Sequence, residues 1–292
     1  MDTNKVSEFK SINDEFNKYN SIYNKLDLKY PLRRIVQQRK FHAFCVGTPK
    51  SGTTSIPSMF TNYRAYHEVN DTFLISLIRK SLDKQISTNE LEAIFQKRDK
   101  RNWLEMDSSH YNAFFVNELH NKFPEAKFVL TLRDCISWLD SWFNHQVSRE
   151  TQPDLSIYDF GRRNYYSRGY SYTKYDSFLG ELKLFPLKSY FEFWKEHNSK
   201  VILTIPKNQL LILKTELIST STDQITSFLQ IPSNSLKVEN THKNKAKAKH
   251  SILKKIDPEY LKDVALEFCG GLNDKYFPEK TISYSLDLLS KK

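Results

Sequence analysis

The stretch Phe44–Phe60, FCVGTPKSGTTSIPSMF, constrains this chain more than any other. It reads as an apolar run, a loop of small residues, then a helical pattern. A strand that feeds a tight loop and then a helix gathers free backbone N–H groups and the positive end of the helix dipole at one point. That arrangement binds phosphate. Gly47 and Gly52 keep the glycine spacing of the nucleoside-triphosphate loop G-x-x-x-x-G-K-[ST], but Thr53 stands where that motif has its lysine. The lysine here is Lys50, two residues before Gly52. Gly52 permits close approach of backbone to an anion, Thr53, Thr54 and Ser55 add hydroxyl groups at the helix start, and Lys50 is expected to approach the anion from the side. An ordinary strand-to-helix turn capped by threonine is the plainer alternative.

The rest of the chain supplies a context for that loop. FHAFCVG (41–47) reads as a buried strand, YRAYHEV (63–69) as a short strand, NWLEM (102–106) as extended, AKFVLTL (126–132) as a strongly apolar strand and QLLILK (209–214) as another. Helical patterns over 71–82, 89–98, 111–123, 135–148, 187–203 and 221–230 alternate with them. Strands separated by helices argue for parallel β-α-β units. The expected fold class is α/β, a three-layer P-loop-like fold with a central parallel sheet flanked by helices. Residues 1–38 read as an N-terminal helical extension and 39–292 as one domain, within which 149–200 is aromatic and mainly helical.

Composition narrows the partner. Lys and Arg outnumber Asp and Glu by 44 to 34, a formal charge of +10, which implies an anionic partner. The three cysteines, Cys45, Cys135 and Cys269, are odd in number and far apart, which fits neither a disulfide framework nor a zinc site and points to a reducing compartment. No stretch approaches the roughly 18 apolar residues of a membrane helix, and the N-terminus lacks an apolar leader. A cytoplasmic protein with no membrane span is the expectation.

A second motif, TLRDCISWLDSWFNH (131–145), puts Arg133 at a strand's C-terminal end and Ser141 on the following helix. Open parallel sheets bind ligands at that edge. Together with TPKSGTT after the first strand and IPKNQLLILKTELI at 205–218, it resembles the PAPS-dependent sulfotransferases, in particular the bacterial and carbohydrate-type branch, over about residues 41–255. The resemblance implies sulfuryl transfer from 3′-phosphoadenosine 5′-phosphosulfate (PAPS) to a hydroxyl of a small molecule or glycan, such as a carbohydrate, without a metal. It implies that Lys50, Ser51, Gly52, Thr53 and Thr54 hold the 5′-phosphosulfate, and that Arg133 and Ser141 hold the 3′-phosphate. The displaced lysine then has a reason. A kinase lysine works beside Mg²⁺ on a β/γ-phosphate pair, whereas in sulfuryl transfer negative charge grows on the bridging oxygen that leaves toward the 5′-phosphate.

An acceptor hydroxyl also needs a base. AYHEVND (65–71) offers Glu68, which by position resembles the glutamate of carbohydrate-type members, and His67. Alternation along an extended segment is expected to send these neighbours to opposite faces. LEMDSSHYN (104–112) puts Ser109 and His110 at the same sheet edge as substrate contacts, with Asp107 where relatives carry a KS-type segment. Residues 237–255 hold seven lysines against one glutamate and resemble the loop that closes over PAPS, making Lys243, Asn244 and Lys245 candidate donor contacts, although the R-K-G triplet of phenol and steroid enzymes is missing. Tyr165 and Tyr166, in the aromatic region, are candidates for an acceptor wall. Two rivals remain: a nucleotide-dependent kinase with an altered loop, and a non-catalytic anion- or nucleic-acid-binding protein. The first lacks the G-K-[ST] order and an acidic strand end for Mg²⁺, and the second lacks any nucleic-acid-binding signature.

Overall fold

The computed structural model describes residues 13–22, 34–148, 168–240 and 250–290. Five strands form one sheet: β1 (Ala43–Cys45), β2 (Ala65–His67), β3 (Met106–Ser108), β4 (Lys127–Leu132) and β5 (Leu210–Lys214). Their order is β2-β3-β1-β4-β5 and every pairing is parallel, so the expected α/β architecture with a central parallel sheet is the one observed. The short strands are consistent with their sequences. Phe41–Gly47 is apolar apart from His42, but the ladder holds only Ala43–Cys45, because the chain must leave the sheet to build the loop.

The helices around the sheet are α1 (Ser55–Met59), α2 (Asp71–Leu82), α3 (Thr88–Asn102), α4 (Val116–Lys122), α5 (Cys135–Ser148), α6 (Leu187–Thr204), α7 (Thr222–Leu229), α8 (Pro258–Tyr276) and α9 (Ile282–Ser290). Period-2 alternation sorts the strand side chains between two cores. Phe44, Val46, Phe128, Leu130 and Leu132 face one core with side chains of α2, α5, α6 and α8. Ala43, Cys45, Met106, Val129, Leu211 and Leu213 face the other, with Ile56 and Met59 of α1 and Ile225 and Leu229 of α7. Burial on both faces makes a three-layer domain.

Residues 13–22 form a helix that lays Phe16 and Tyr19 on Phe73 of α2, with ring centroids 6.1 and 5.4 Å apart. Thr72 Oγ1 donates to Glu15 Oε2 at 3.1 Å, and Arg101 Nη1 to the Ile22 carbonyl at 3.0 Å, so this helix is tied to α2 and α3. The described tyrosines of the aromatic region pack against helices. Tyr170 meets Phe268 edge-on and donates to Glu192, Tyr175 stacks on Tyr260, and Tyr172 donates to the Leu184 carbonyl. Tyr165 and Tyr166 lie outside the described residues, as do Lys243, Asn244 and Lys245. No described helix is long and apolar enough to cross a membrane.

Candidate active site

The strand order decides where a ligand can sit. The chain leaves β1 toward β2 and leaves the neighbouring β4 toward β5, so the crevice of the sheet opens between the C-terminal ends of β1 and β4. The loop 46–54 and Arg133 both occupy that end.

The loop is fixed through seven of its carbonyl groups, each accepting a hydrogen bond from a named donor. His197 Nε2 on α6 donates to the Val46 carbonyl at 2.7 Å, and Ser51 Oγ to that of Thr48 at 2.6 Å. Trp138 Nε1 on α5 donates to Pro49 at 2.8 Å and Arg133 Nη1 to Lys50 at 3.3 Å. Thr215 Oγ1, just past β5, donates to Ser51 at 2.5 Å, the Ile56 N–H to Gly52 at 3.0 Å, and Ser108 Oγ at the end of β3 to Thr53 at 2.5 Å. With the acceptors engaged, the backbone N–H groups of Gly52, Thr53 and Thr54 have no hydrogen-bond partner among the described residues. Donors without acceptors at a strand-loop-helix junction make a cradle for an anion.

Two backbone positions need their conformations. Gly52 has φ +112°, and a Cβ there would lie 2.4 Å from Ile218 Cδ1. Lys50 is left-handed with φ 64°, and its carbonyl is the one Arg133 holds. Gly47 is required for packing instead, since a Cβ would lie 1.9 Å from Thr131 Oγ1. Ser51 is fully buried, with its hydroxyl bonded to Thr48 and 2.8 Å from Thr131 Oγ1. Its side chain therefore stiffens the loop from inside and does not face the cradle.

Arg133 leaves β4 with its carbonyl held by Trp194 Nε1 at 3.0 Å. Burial pushes its guanidinium below the usual value, and the neighbouring Asp134, Asp140 and Glu216 pull the other way without restoring it. Ser141 is half-buried on α5, two turns further on. By helical spacing it shares a face with Asn144, whose Oδ1 accepts from the His250 N–H at 2.5 Å. At the other end of the basic segment, the Lys237 N–H donates to the Met59 carbonyl of α1 at 2.9 Å.

At the end of β2 the structure corrects the expected alternation. Glu68 has φ 53°, so its side chain turns back instead of continuing the strand. Its Oε1 accepts from His110 Nδ1 at 2.8 Å and lies 3.6 Å from His67 Nε2. His67 and Glu68 thus share one place with His110. His67 Nε2 also lies 3.3 Å from the hydroxyls of Thr53 and Thr54, which ties this cluster to the cradle. Burial lowers the His67 pKa, with His110 acting in the same direction against Glu68, so the ring is a neutral imidazole near pH 7.

Ser109, expected as a substrate contact, has a structural setting of its own. It is fully buried, its N–H donates to the Cys45 carbonyl at 3.0 Å, and its hydroxyl accepts from the Tyr111 N–H at 3.2 Å. It caps the 3-10 turn that presents His110. Asp107 points away from the cradle to Arg98 of α3. No group of His, Cys, Asp and Glu among the described residues is arranged to hold a metal ion.

Parts of the chain are similar to known proteins. A family model described as a sulfotransferase domain (Sulfotransfer_4) matches residues 42–248. The "Ava biosynthesis cluster protein M" of Aspergillus versicolor is 34% identical over 103 residues, so the match spans 34% of this chain and 40% of that protein. A crystal structure of a sulfotransferase from Alicyclobacillus acidocaldarius aligns with a TM-score of 0.46 and 13% identity, over 81% of this chain and 95% of that one. The matched span runs from β1 through the cradle, the β2-end cluster and Arg133, and on that span the chain belongs to the sulfotransferase-domain family.

Proposed function

We propose that the protein transfers a sulfuryl group from PAPS to a hydroxyl acceptor and releases adenosine 3′,5′-bisphosphate. The observation that carries this reading is the loop whose carbonyl groups at Val46 and from Thr48 to Thr53 are engaged while the N–H groups of Gly52, Thr53 and Thr54 are left for an anion. PAPS supplies the sulfuryl group: its bond from sulfur to the 5′-phosphate oxygen breaks as the acceptor oxygen bonds to sulfur. The cradle N–H groups hold the 5′-phosphate. Lys50 neutralises the bridging oxygen as negative charge collects there, so its contribution appears in the transition state more than in binding. Arg133 is half-buried, with desolvation of its guanidinium only partly offset by nearby acids, which suits it to a second phosphate, and Ser141 lies on the helix that follows.

The acceptor proton goes to the cluster at the β2 end. Glu68 holds His110 through Nδ1, which leaves Nε2 of that ring as an acceptor, and its carboxylate also lies against His67. A carboxylate that orients an imidazole and stabilises its charged form is a familiar route to a general base. A carbohydrate hydroxyl is the first acceptor class to screen.

Binding tests the reading before any acceptor is known. Adenosine 3′,5′-bisphosphate should raise the melting temperature far more than AMP or ATP, without Mg²⁺. At 100 times its Kd the gain is about 2.7 kcal/mol. Preference for ATP with Mg²⁺ would favour a kinase, and salt-sensitive polynucleotide binding with no bisphosphate preference would favour a nucleic-acid binder.

A further inference from the structure

Beneath the β2 end lies a buried ion pair that the chemistry above does not use. Arg98 on α3 and Asp107 on β3 are 3% and 5% exposed, and their side chains pair through Nη1 and Oδ2. Such a pair does little for stability by itself, because desolvation offsets its attraction. Asp107 Oδ1 moreover has no partner among the described residues. The other arm of the guanidinium has a specific target: Arg98 Nη2 donates to the Val69 carbonyl at 2.7 Å.

Val69 sits between two left-handed residues, Glu68 at φ 53° and Asn70 at φ 58°. Neither is glycine, and each such conformation costs on its own. The surroundings hold them from several sides. The Glu68 N–H donates to the Ser108 carbonyl at 2.8 Å, the Leu74 N–H to the Asn70 carbonyl at 3.1 Å, and Asn102 Nδ2 to Asn70 Oδ1 at 3.3 Å. Arg98 and Asn102 lie one turn apart on α3, so one helix grips two consecutive residues of the turn.

We infer that Arg98 is a positioning residue for the proton-accepting cluster: held by Asp107, it fixes the Val69 carbonyl and thereby keeps Glu68 folded back onto His110 and His67. This rests on reading Glu68 as part of that cluster. It also assigns a role to Asp107 at the strand position where the family resemblance leads one to expect a lysine. The acid faces the opposite side of β3 and acts on the site from behind, through Arg98 and one backbone carbonyl.

The test replaces both members of the pair, Arg98→Met with Asp107→Leu, so that no lone charge is left buried. A second variant, Arg98→Lys, keeps a charge for Asp107 but loses the planar fork. The first readout needs no acceptor. In the wild type the proton on His110 Nδ1, bonded to the Glu68 carboxylate, gives a slowly exchanging downfield imidazole N–H signal in ¹⁵N-histidine NMR. That signal should be lost in Glu68→Ala and lost or broadened in the pair variant and in Arg98→Lys. Adenosine 3′,5′-bisphosphate affinity should stay within about threefold of wild type in all of them. With PAPS and an acceptor, kcat should fall about 10- to 100-fold at little-changed donor KM, the scale of a small misplacement at a reacting centre. In a Glu68→Gln background the pair replacement should add nothing further. A folded pair variant, or a folded Arg98→Lys if the pair variant fails to fold, that keeps the wild-type His110 signal would overturn the inference. Failure of the wild type to bind the bisphosphate would instead count against the sulfotransfer reading, and the NMR result would still decide the role of Arg98.

Discussion

Lys50 is the residue whose position in the sequence first set this loop apart, and its conformation explains that position. A left-handed residue before Ser51 turns its carbonyl to Arg133 and brings the chain into the cradle. Lys50→Ala should lower kcat about 10²–10³-fold, the scale of losing one donor that stabilises developing charge, with a much smaller change in donor affinity. Single-turnover transfer at saturating PAPS measures this, and an unchanged rate would remove Lys50 from the chemistry. Glu68→Gln should cost about 10²–10⁴-fold in the same assay while the bisphosphate still binds. His67→Ala should weaken both donor binding and transfer, since Nε2 meets the Thr53 and Thr54 hydroxyls as well as Glu68. At this scale the sequence was readable where spacing fixed a place in the fold, with Gly47 and Gly52 in the loop after β1 and Arg133 at the end of β4. It was unreadable where a rare backbone conformation decided the outcome. A glutamate directly after a strand is expected to continue the alternation, and nothing in AYHEVND announces that Glu68 adopts φ 53°.

Among the elements, α5 matters most to the second phosphate site because it follows Arg133 directly. Asp134 begins it: its Oδ1 accepts the Ser137 N–H at 2.9 Å, and its carbonyl accepts that of Trp138. Asp134→Ala should therefore cost about 1 kcal/mol in urea denaturation, the usual loss of a helix cap. Asp134→Asn keeps the accepting oxygen and should be close to neutral for stability. It should nevertheless tighten phosphate binding at Arg133, because it removes an acid that competes for that charge. An alanine variant as stable as wild type would show that the helix start is held without this cap. The main strands and helices were legible from apolar periodicity, with β3 at Met106–Ser108, starting four residues and ending two residues later than the expected 102–106. The displacement has a cause: Trp103 and Glu105 are occupied below the sheet, where Arg64 Nε donates to the Trp103 carbonyl and its Nη2 to Glu105.

For the molecule as a whole, a buried histidine sets part of the pH response. His197 is bonded through Nε2–H to the Val46 carbonyl, and burial lowers its pKa from 6.5 to about 3. The unfolded chain binds a proton at this residue below about pH 6.5, whereas the folded chain does so only near pH 3. Stability from this source is therefore intact above pH 6.5 and falls as the pH drops, by up to about 1.4 kcal/mol per pH unit, until it levels off near pH 3. His197→Gln retains an N–H donor without titrating, so its urea midpoint should fall less than that of the wild type between pH 7 and pH 4. Equal slopes would mean that His197 titrates normally in the folded protein.

The donors that hold the loop come from far along the chain. Ser108 lies 55 positions from Thr53, Arg133 83 from Lys50, Trp138 89 from Pro49, His197 151 from Val46 and Thr215 164 from Ser51. Contacts this distant in sequence form late, because the entropy of closing the intervening loops must be met before they form. The anion cradle is therefore complete only once all of these distant segments have docked. A refolding chain would regain helical circular dichroism first and affinity for a phosphorylated nucleotide only at the final step. Nucleotide capture would then report completed folding of every layer at once, from β3 to the segment beyond β5.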